Sequence, residues 1–153
     1  MSLSTLKNRI EAGFSSQGIN SYGYIWAESE LSKLANQSLP YYGVILQTAN
    51  IPDVLNPMAQ NYIRYEVVLL AADNLHQADQ VVTATNRWDY WFTKLGTLES
   101  QTFGILEGMI DYPTAQVNGS LSMRHIPYST ELNLVAVYTT FTIDIATNLC
   151  LHE

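Results

Sequence analysis

Charge is scarce in this sequence. Of 153 residues only seven are Lys or Arg and fourteen Asp or Glu, 14% in all against the roughly 25% usual for soluble domains. The imbalance leaves a formal charge of −7, which repels phosphate backbones and supplies too few cations for a binding stripe, so tight nucleic-acid binding is not expected. Cysteine is nearly absent. Cys150 alone admits no internal disulfide, and without a recognisable histidine context it reads as a partly covered thiol rather than a nucleophile. Long apolar runs are missing too: nothing approaches the roughly eighteen residues of a membrane helix, and the mixed polarity of residues 1 to 10 offers no signal-peptide core. The chain is therefore expected in the cytosol when made. No G-x-S-x-G elbow, Walker A loop or G-x-G-x-x-G turn occurs, which leaves nucleophile-elbow and nucleotide chemistry without a carrier.

The few chemical groupings that remain have simpler readings. Asp73, His76 and Asp79 set O, N and O donors at three-residue steps, but a capped helix start with a solvated histidine explains them and no fourth ligand is apparent. His76, His125 and His152 fit no zinc spacing, and neither a metal nor a cofactor is expected. Glu28 with Glu30, and Glu107 with Asp111, are the available carboxylate pairs for acid and base work. The first pair flanks an expected cap and the second alternates along an expected strand, so both read as solvated positions. Asn36-Gln37-Ser38 and Asn118-Gly119-Ser120 match the glycosylation sequon, which has no use in the cytosol. Trp88 and Trp91 have the spacing of a helix's core face. No enzyme is indicated.

What is present is a core. With 47% hydrophobic residues, residues 1 to 153 suit a single domain, and a chain of this length buries about 68–70% of its unfolded surface. Leu3, Leu6 and Ile10 at helical spacing, capped by Ser2 or Ser4 and followed by Gly13, predict a short N-terminal helix over 2 to 13. Residues 14 to 24 read as a loop, 24 to 27 as a short strand, and 29 to 34 as a helical turn. A strand over 41 to 49 precedes a Pro-rich loop at 50 to 58. From Tyr62, the residues Ile63, Tyr65, Val67, Leu69 and Ala71 share one face of a strand that starts half exposed and ends buried on both sides.

A helix is expected over 79 to 95, with Val81, Thr85, Trp88, Phe92 and Leu95 as its inward stripe and Lys94-Leu95-Gly96 as its end. Phe103 to Tyr112 reads as a strand bulged at Gly104 and Gly108. Asn118-Gly119 predicts a type I′ hairpin between 112–117 and 120–126, ended by Pro127. In a last strand over 132 to 145, Val135, Val137, Phe141, Ile143 and Ile145 point to the core, and Tyr138, Thr140, Thr142 and Asp144 point away. The fold class is α+β: a mainly antiparallel sheet with one long amphipathic helix on one face and a short N-terminal helix.

Three segments carry a family resemblance: Tyr62 to Leu70, Trp88-Asp89-Tyr90-Trp91-Phe92, and Leu134 to Phe141. Set in the order helix, strand, Pro-rich loop, edge strand 62 to 72, helix and terminal meander, residues 40 to 146 resemble the small neck and tail-completion proteins of tailed bacteriophages. The resemblance implies a tail terminator or head-tail joining protein, found in the virion and in host cytoplasm during assembly. Such a subunit forms a ring with copies of itself, commonly a hexamer, and contacts other tail or connector proteins by surface complementarity, without cofactor or turnover. Ten tyrosines and three tryptophans fit a self-associating surface. Tyr62, Tyr65, Tyr138, Thr140 and Thr142 are the candidate contact residues. The alternative is a small α+β pocket protein that binds or transforms an apolar ligand, with Tyr24, Trp26, Trp88, Tyr90 and Met109 as lining and His125 or Asp111 as the polar group.

Overall fold

The apolar run Val67-Val68-Leu69-Leu70 has no solvent-facing side: Val67 and Leu69 lie beneath the helices, Val68 and Leu70 lie in a cluster on the opposite face, and the strand is paired on both edges. In a computed structural model of the chain, residues 2–20, 22–24, 40–51, 61–74, 87–129 and 134–147 are described. They form strands β1 (Gly23–Tyr24), β2 (Tyr41–Asn50), β3 (Tyr62–Asn74), β4 (Ala115–Ser129) and β5 (Leu134–Ala146), with helices α1 (Ser2–Ser16) and α2 (Arg87–Met109). The sheet order is β1-β2-β3-β5-β4, antiparallel except where β1 joins β2. This is the α+β class expected, with one difference: the strand from Tyr62 is not an edge. It pairs with β2 on one side and along its whole length with β5 on the other, Tyr62 opposite Ala146 and Asn74 opposite Leu134. Its faces divide as the alternation predicts. Tyr65, Val67, Leu69 and Ala71 are buried beneath the helices with Val137, Phe141, Ile143 and Ile145 of β5.

Both helices run further than the glycines suggested. Leu6, Ile10 and Phe14 recur every four residues on the buried side of α1, and full burial of such side chains stabilises by about 1.5–3 kcal/mol each. The helix passes through Gly13 and ends at Gly18, whose φ of 70° closes a Schellman turn: the Ile19 amide donates to the Phe14 carbonyl at 3.0 Å and the Gly18 amide to that of Ser15 at 3.0 Å. Gly13 serves another purpose. A Cβ there would lie 2.5 Å from the Ile105 carbonyl oxygen and 2.8 Å from Met109 Cγ, so its missing side chain lets α1 lie against α2.

The same contact explains the main correction. Phe103 to Met109 is not a bulged strand but the last turns of α2, which continues past Gly96 to Met109. Gly108 faces α1, where a Cβ would meet Ser16 Oγ at 2.5 Å and Gly13 Cα at 3.0 Å. Arg9 then ties α1 to the end of α2 by donating to the carbonyls of Met109 and Gly108, both at 2.9 Å. Leu95, Leu98, Ile105, Leu106 and Met109 form the inward stripe, and Phe92, expected on it, is 63% exposed. Residues 79 to 86 of the expected helix lie outside the described residues, as do 25 to 39 and 52 to 60.

Asn118-Gly119 does not turn the chain. Strand β4 is continuous, both halves pair with β5, and the pair is absorbed in a register irregularity between Asn118 opposite Thr142 and Ser122 opposite Thr140. Pro127 likewise does not end the strand. It sits in a second irregularity between Ile126 and Ser129, on the sheet's edge strand, where a missing amide hydrogen costs least.

Candidate functional site

The sheet face turned away from the helices has two unlike ends. At one, Ile45, Val68, Leu70, Ala72, Ala136 and Tyr138 form a second buried cluster. At the other the outward positions of three adjacent strands are polar, and the register brings them into one lattice. Arg64 of β3 stands directly opposite Asp144 of β5, and Asn118 of β4 stands opposite Thr142. Arg64 Nε donates to Asp144 Oδ1 at 2.8 Å and Nη2 to Oδ2 at 3.0 Å, a bidentate pair. Asn118 Nδ2 donates to the same Oδ2 at 2.8 Å, and Thr142 Oγ1 donates to the Asn118 carbonyl at 2.7 Å. The Arg64 guanidinium also lies 5.7 Å from the Tyr62 ring centre. Beside this lattice opens a cleft of about 340 Å³, lined by Asn61, Tyr62, Tyr112, Gln116, Asn118 and Asp144 among others. That volume is within the range of ligand sites.

Two further surfaces are apolar. Between α1 and the β1–β2 side of the sheet lies a groove of about 180 Å³, formed by Leu3, Leu6, Ile10, Tyr24, Val44 and Leu46 with Lys7 at its rim. Leu3, Tyr24 and Leu46 are 60%, 54% and 47% exposed. Burial, and then the Glu11 carboxylate, raise the hydroxyl pKa of Tyr24 and of its neighbour Tyr22. The second surface is a ridge on the outward side of α2. Phe92 and Phe103, eleven residues apart, differ by about 20° around the helix and stand about 16 Å apart along it. Phe103 is 50% exposed; between the two rings lie Gly96, Ser100 and Glu99, whose carboxylate contacts His125.

The residues singled out from sequence are distributed over these surfaces. Tyr62, Tyr138, Thr140 and Thr142 do lie on the outer sheet face, although Tyr138 is only 3% exposed and holds the Arg124 guanidinium 5.0 Å from its ring centre. Tyr65 does not belong with them. It points beneath the helices and is 2% exposed, because the strand's alternation sets it opposite in phase to Arg64. Glu107 is exposed on α2 and Asp111 follows that helix, 3.9 Å from Arg9, so the two do not alternate on a strand. Asp73 pairs with Lys94 at 3.2 Å. His76, Asp79, Glu28, Glu30, Trp26, Cys150 and His152 lie outside the described residues, as does the side chain of Trp88. Tyr90 packs on the core, Met109 is fully buried within it, Tyr24 borders the α1 groove and His125 contacts Glu99 of α2, so these four do not share a cleft among the described residues.

Among the described residues no group of His, Cys, Asp and Glu could hold a metal ion, and no helix is long and apolar enough to cross a membrane. Sequence reasoning missed Asn118 as a lattice member and Tyr112 as a cleft residue, since both were assigned to a hairpin. The available signal was charge of opposite sign on two apolar-rich strands: Arg64 is the one cation of β3 and Asp144 the one charge of β5. No protein-family model matches the chain, and no curated protein matches it.

Proposed function

We propose that this chain is a structural subunit that assembles head to tail into a ring, of the kind that completes the tail or joins head to tail in tailed bacteriophages. The virion setting comes from the pattern of Tyr62 to Leu70, Trp88 to Phe92 and Leu134 to Phe141. One observation carries the assembly: the chain bears two unlike apolar surfaces on different elements, the concave groove beside α1 and the convex Phe92–Phe103 ridge of α2. Self-complementary dimers use one patch twice, whereas two different patches that fit each other chain copies together and close into a ring when the rotation allows. The groove has room for one aromatic ring, and aromatic anchors seated in pockets dominate interface energetics. Thr142 already donates to Asn118 and Tyr62 already lies under Arg64, so the contact surface shifts from the sheet, where sequence placed it, to the helices. Complementarity of surfaces then does the work, with no turnover.

Light scattering on size-separated samples tests this with two variants. Leu46→Lys blocks the groove and Phe92→Ser/Phe103→Ser removes the ridge. All three positions are well exposed, so each substitution changes folding stability by only about 0.5 kcal/mol. Wild type should form a defined ring, each variant alone a monomer, and an equimolar mixture of the two a dimer joined by the one intact groove and the one intact ridge. A Leu46→Lys chain that still dimerises would show the ridge pairing with itself and defeat the ring. The virion setting is tested by whether the gene lies among genes for portal, capsid and tail-tube proteins.

A further inference from the structure

The cleft on the outer sheet face plays no part in that assembly, and its chemistry is distinctive. Its walls present three carboxamides (Asn61, Gln116, Asn118), one carboxylate (Asp144) and two tyrosine rings (Tyr62, Tyr112) around about 340 Å³. The lattice fixes what these groups can offer. Asp144 has about four acceptor sites and spends three of them on Arg64 and Asn118, which leaves it one. Asn118 commits its amino group to Asp144, which turns its carbonyl oxygen away from that carboxylate as an acceptor. Gln116 is exposed and brings both a donor and an acceptor. Tyr112 is 75% exposed at the cleft mouth.

This set selects among ligand classes. An anion would find Arg64 as its cation, but that guanidinium is held bidentate by Asp144, and the chain as a whole is acidic. A metal ion would find one carboxylate that already receives three donors. An apolar ligand would strip water from three carboxamides and give nothing in return. A neutral ligand with many hydroxyl groups and an apolar C–H face meets every wall. Its hydroxyls donate to the Asn118 and Asp144 acceptors and accept from Gln116, and its C–H face lies on the aromatic rings. We propose that the cleft binds a saccharide, with Tyr112 as the stacking platform and Gln116, Asn118 and Asp144 as the hydroxyl contacts.

Saturation-transfer NMR with methyl glucoside, methyl galactoside, N-acetylglucosamine, maltose and cellobiose as probes tests the proposal, with adenosine as a non-sugar that also stacks and hydrogen-bonds. At least one sugar should show saturable binding with a dissociation constant of about 1–10 mM or tighter. Tyr112→Ala and Gln116→Leu should each weaken it about tenfold, the loss typical of one removed contact, at unchanged melting temperature because both side chains are exposed. Neither substitution should alter the ring, so a failure here is separable from a failure of assembly. No signal from any sugar, a signal that both variants retain in full, or saturable binding of adenosine alone would each overturn the proposal.

Discussion

Helix α2 meets its surroundings in opposite ways on its two sides. Toward α1 it presents Gly108, and α1 answers with Gly13, so the two backbones touch where a side chain would otherwise stand. Toward solvent it presents Phe92 and Phe103, with Gly96, Ser100 and Glu99 between them. Its inward stripe of Leu95, Leu98, Ile105, Leu106 and Met109 is that of any helix covering a sheet, but one with only that task would carry polar residues alone on its outer side. Small residues sit where the partner is already supplied by the same chain and close approach improves packing. Large apolar ones sit on the side open to solvent, where Phe92 is 63% and Phe103 50% exposed, and that is where the proposed assembly would seat a second copy.

The contrast breaks most directly at Gly13. Gly13→Val sets a Cβ within 2.5 Å of the Ile105 carbonyl, and that atom cannot swing aside as a side chain can. The helices must separate, and overpacking of this kind costs about 3 kcal/mol, or roughly 6–12 °C in melting temperature for a chain of this size. Calorimetry would measure it. A loss below about 0.5 kcal/mol would mean that the glycines at the crossing are incidental.

The inner side of α2 is also tied to the sheet by Tyr42 of β2, whose hydroxyl donates to Gln101. Burial, and secondarily the charge of Asp73, raise the Tyr42 pKa from 10.0 to about 12. The raised value sets the sign: the neutral form is favoured in the folded state, so this stabilisation is complete below pH 10 and is lost as pH climbs through 12. The loss amounts to about 3 kcal/mol. Tyr42→Phe should therefore be about 1 kcal/mol less stable than wild type at pH 8, having lost one hydrogen bond, and more stable at pH 12. Melting curves at the two pH values that fail to cross would show that the hydroxyl is not held neutral by the fold.

These same elements show what sequence could and could not reveal. Strands β2, β3 and β5 were legible as strands, and the sides of β3 and β5 fell as expected down to Tyr138 and Asp144, because an alternating pattern with one apolar face allows a single register. The two helices were misjudged at glycines. Gly13 and Gly96 carry the same local signal as a helix terminator; at Gly13 the packing of α1 on α2 marks a contact glycine, whereas a Cβ at Gly96 would meet nothing within 4 Å and the helix runs on through it. The spacing of Leu98, Ile105, Leu106 and Met109 held the contrary evidence, since it continues the helical period beyond Gly96. Asn118-Gly119 failed for a related reason: a hairpin needs its two arms to prefer each other, and here both prefer β5. The polar lattice was half visible. Arg64 and Asp144 were each assigned to the outward side, but they are 80 residues apart, and only the register of β3 on β5 sets them face to face.

Gly96 offers the smallest effect and the sharpest use of the contrast between the sides of α2. It lies four residues after Phe92 and seven before Phe103, on the ridge, and a Cβ there would have no atom within 4 Å. With no clash to pay against, Gly96→Ala should gain the helix propensity difference of about 0.8 kcal/mol, or roughly 2–3 °C. The gain is to be read on a Leu46→Lys background, so that assembly does not contribute to the melting temperature. In the wild-type background the added methyl fills the saddle between the two rings, where the rim of a neighbour's groove must pass, and ring formation should weaken several-fold. The same substitution thus strengthens the isolated chain and loosens the assembly. A fall in melting temperature on the blocked background would mean that Gly96 is packed as Gly13 is, and the two sides of the helix would no longer differ in kind.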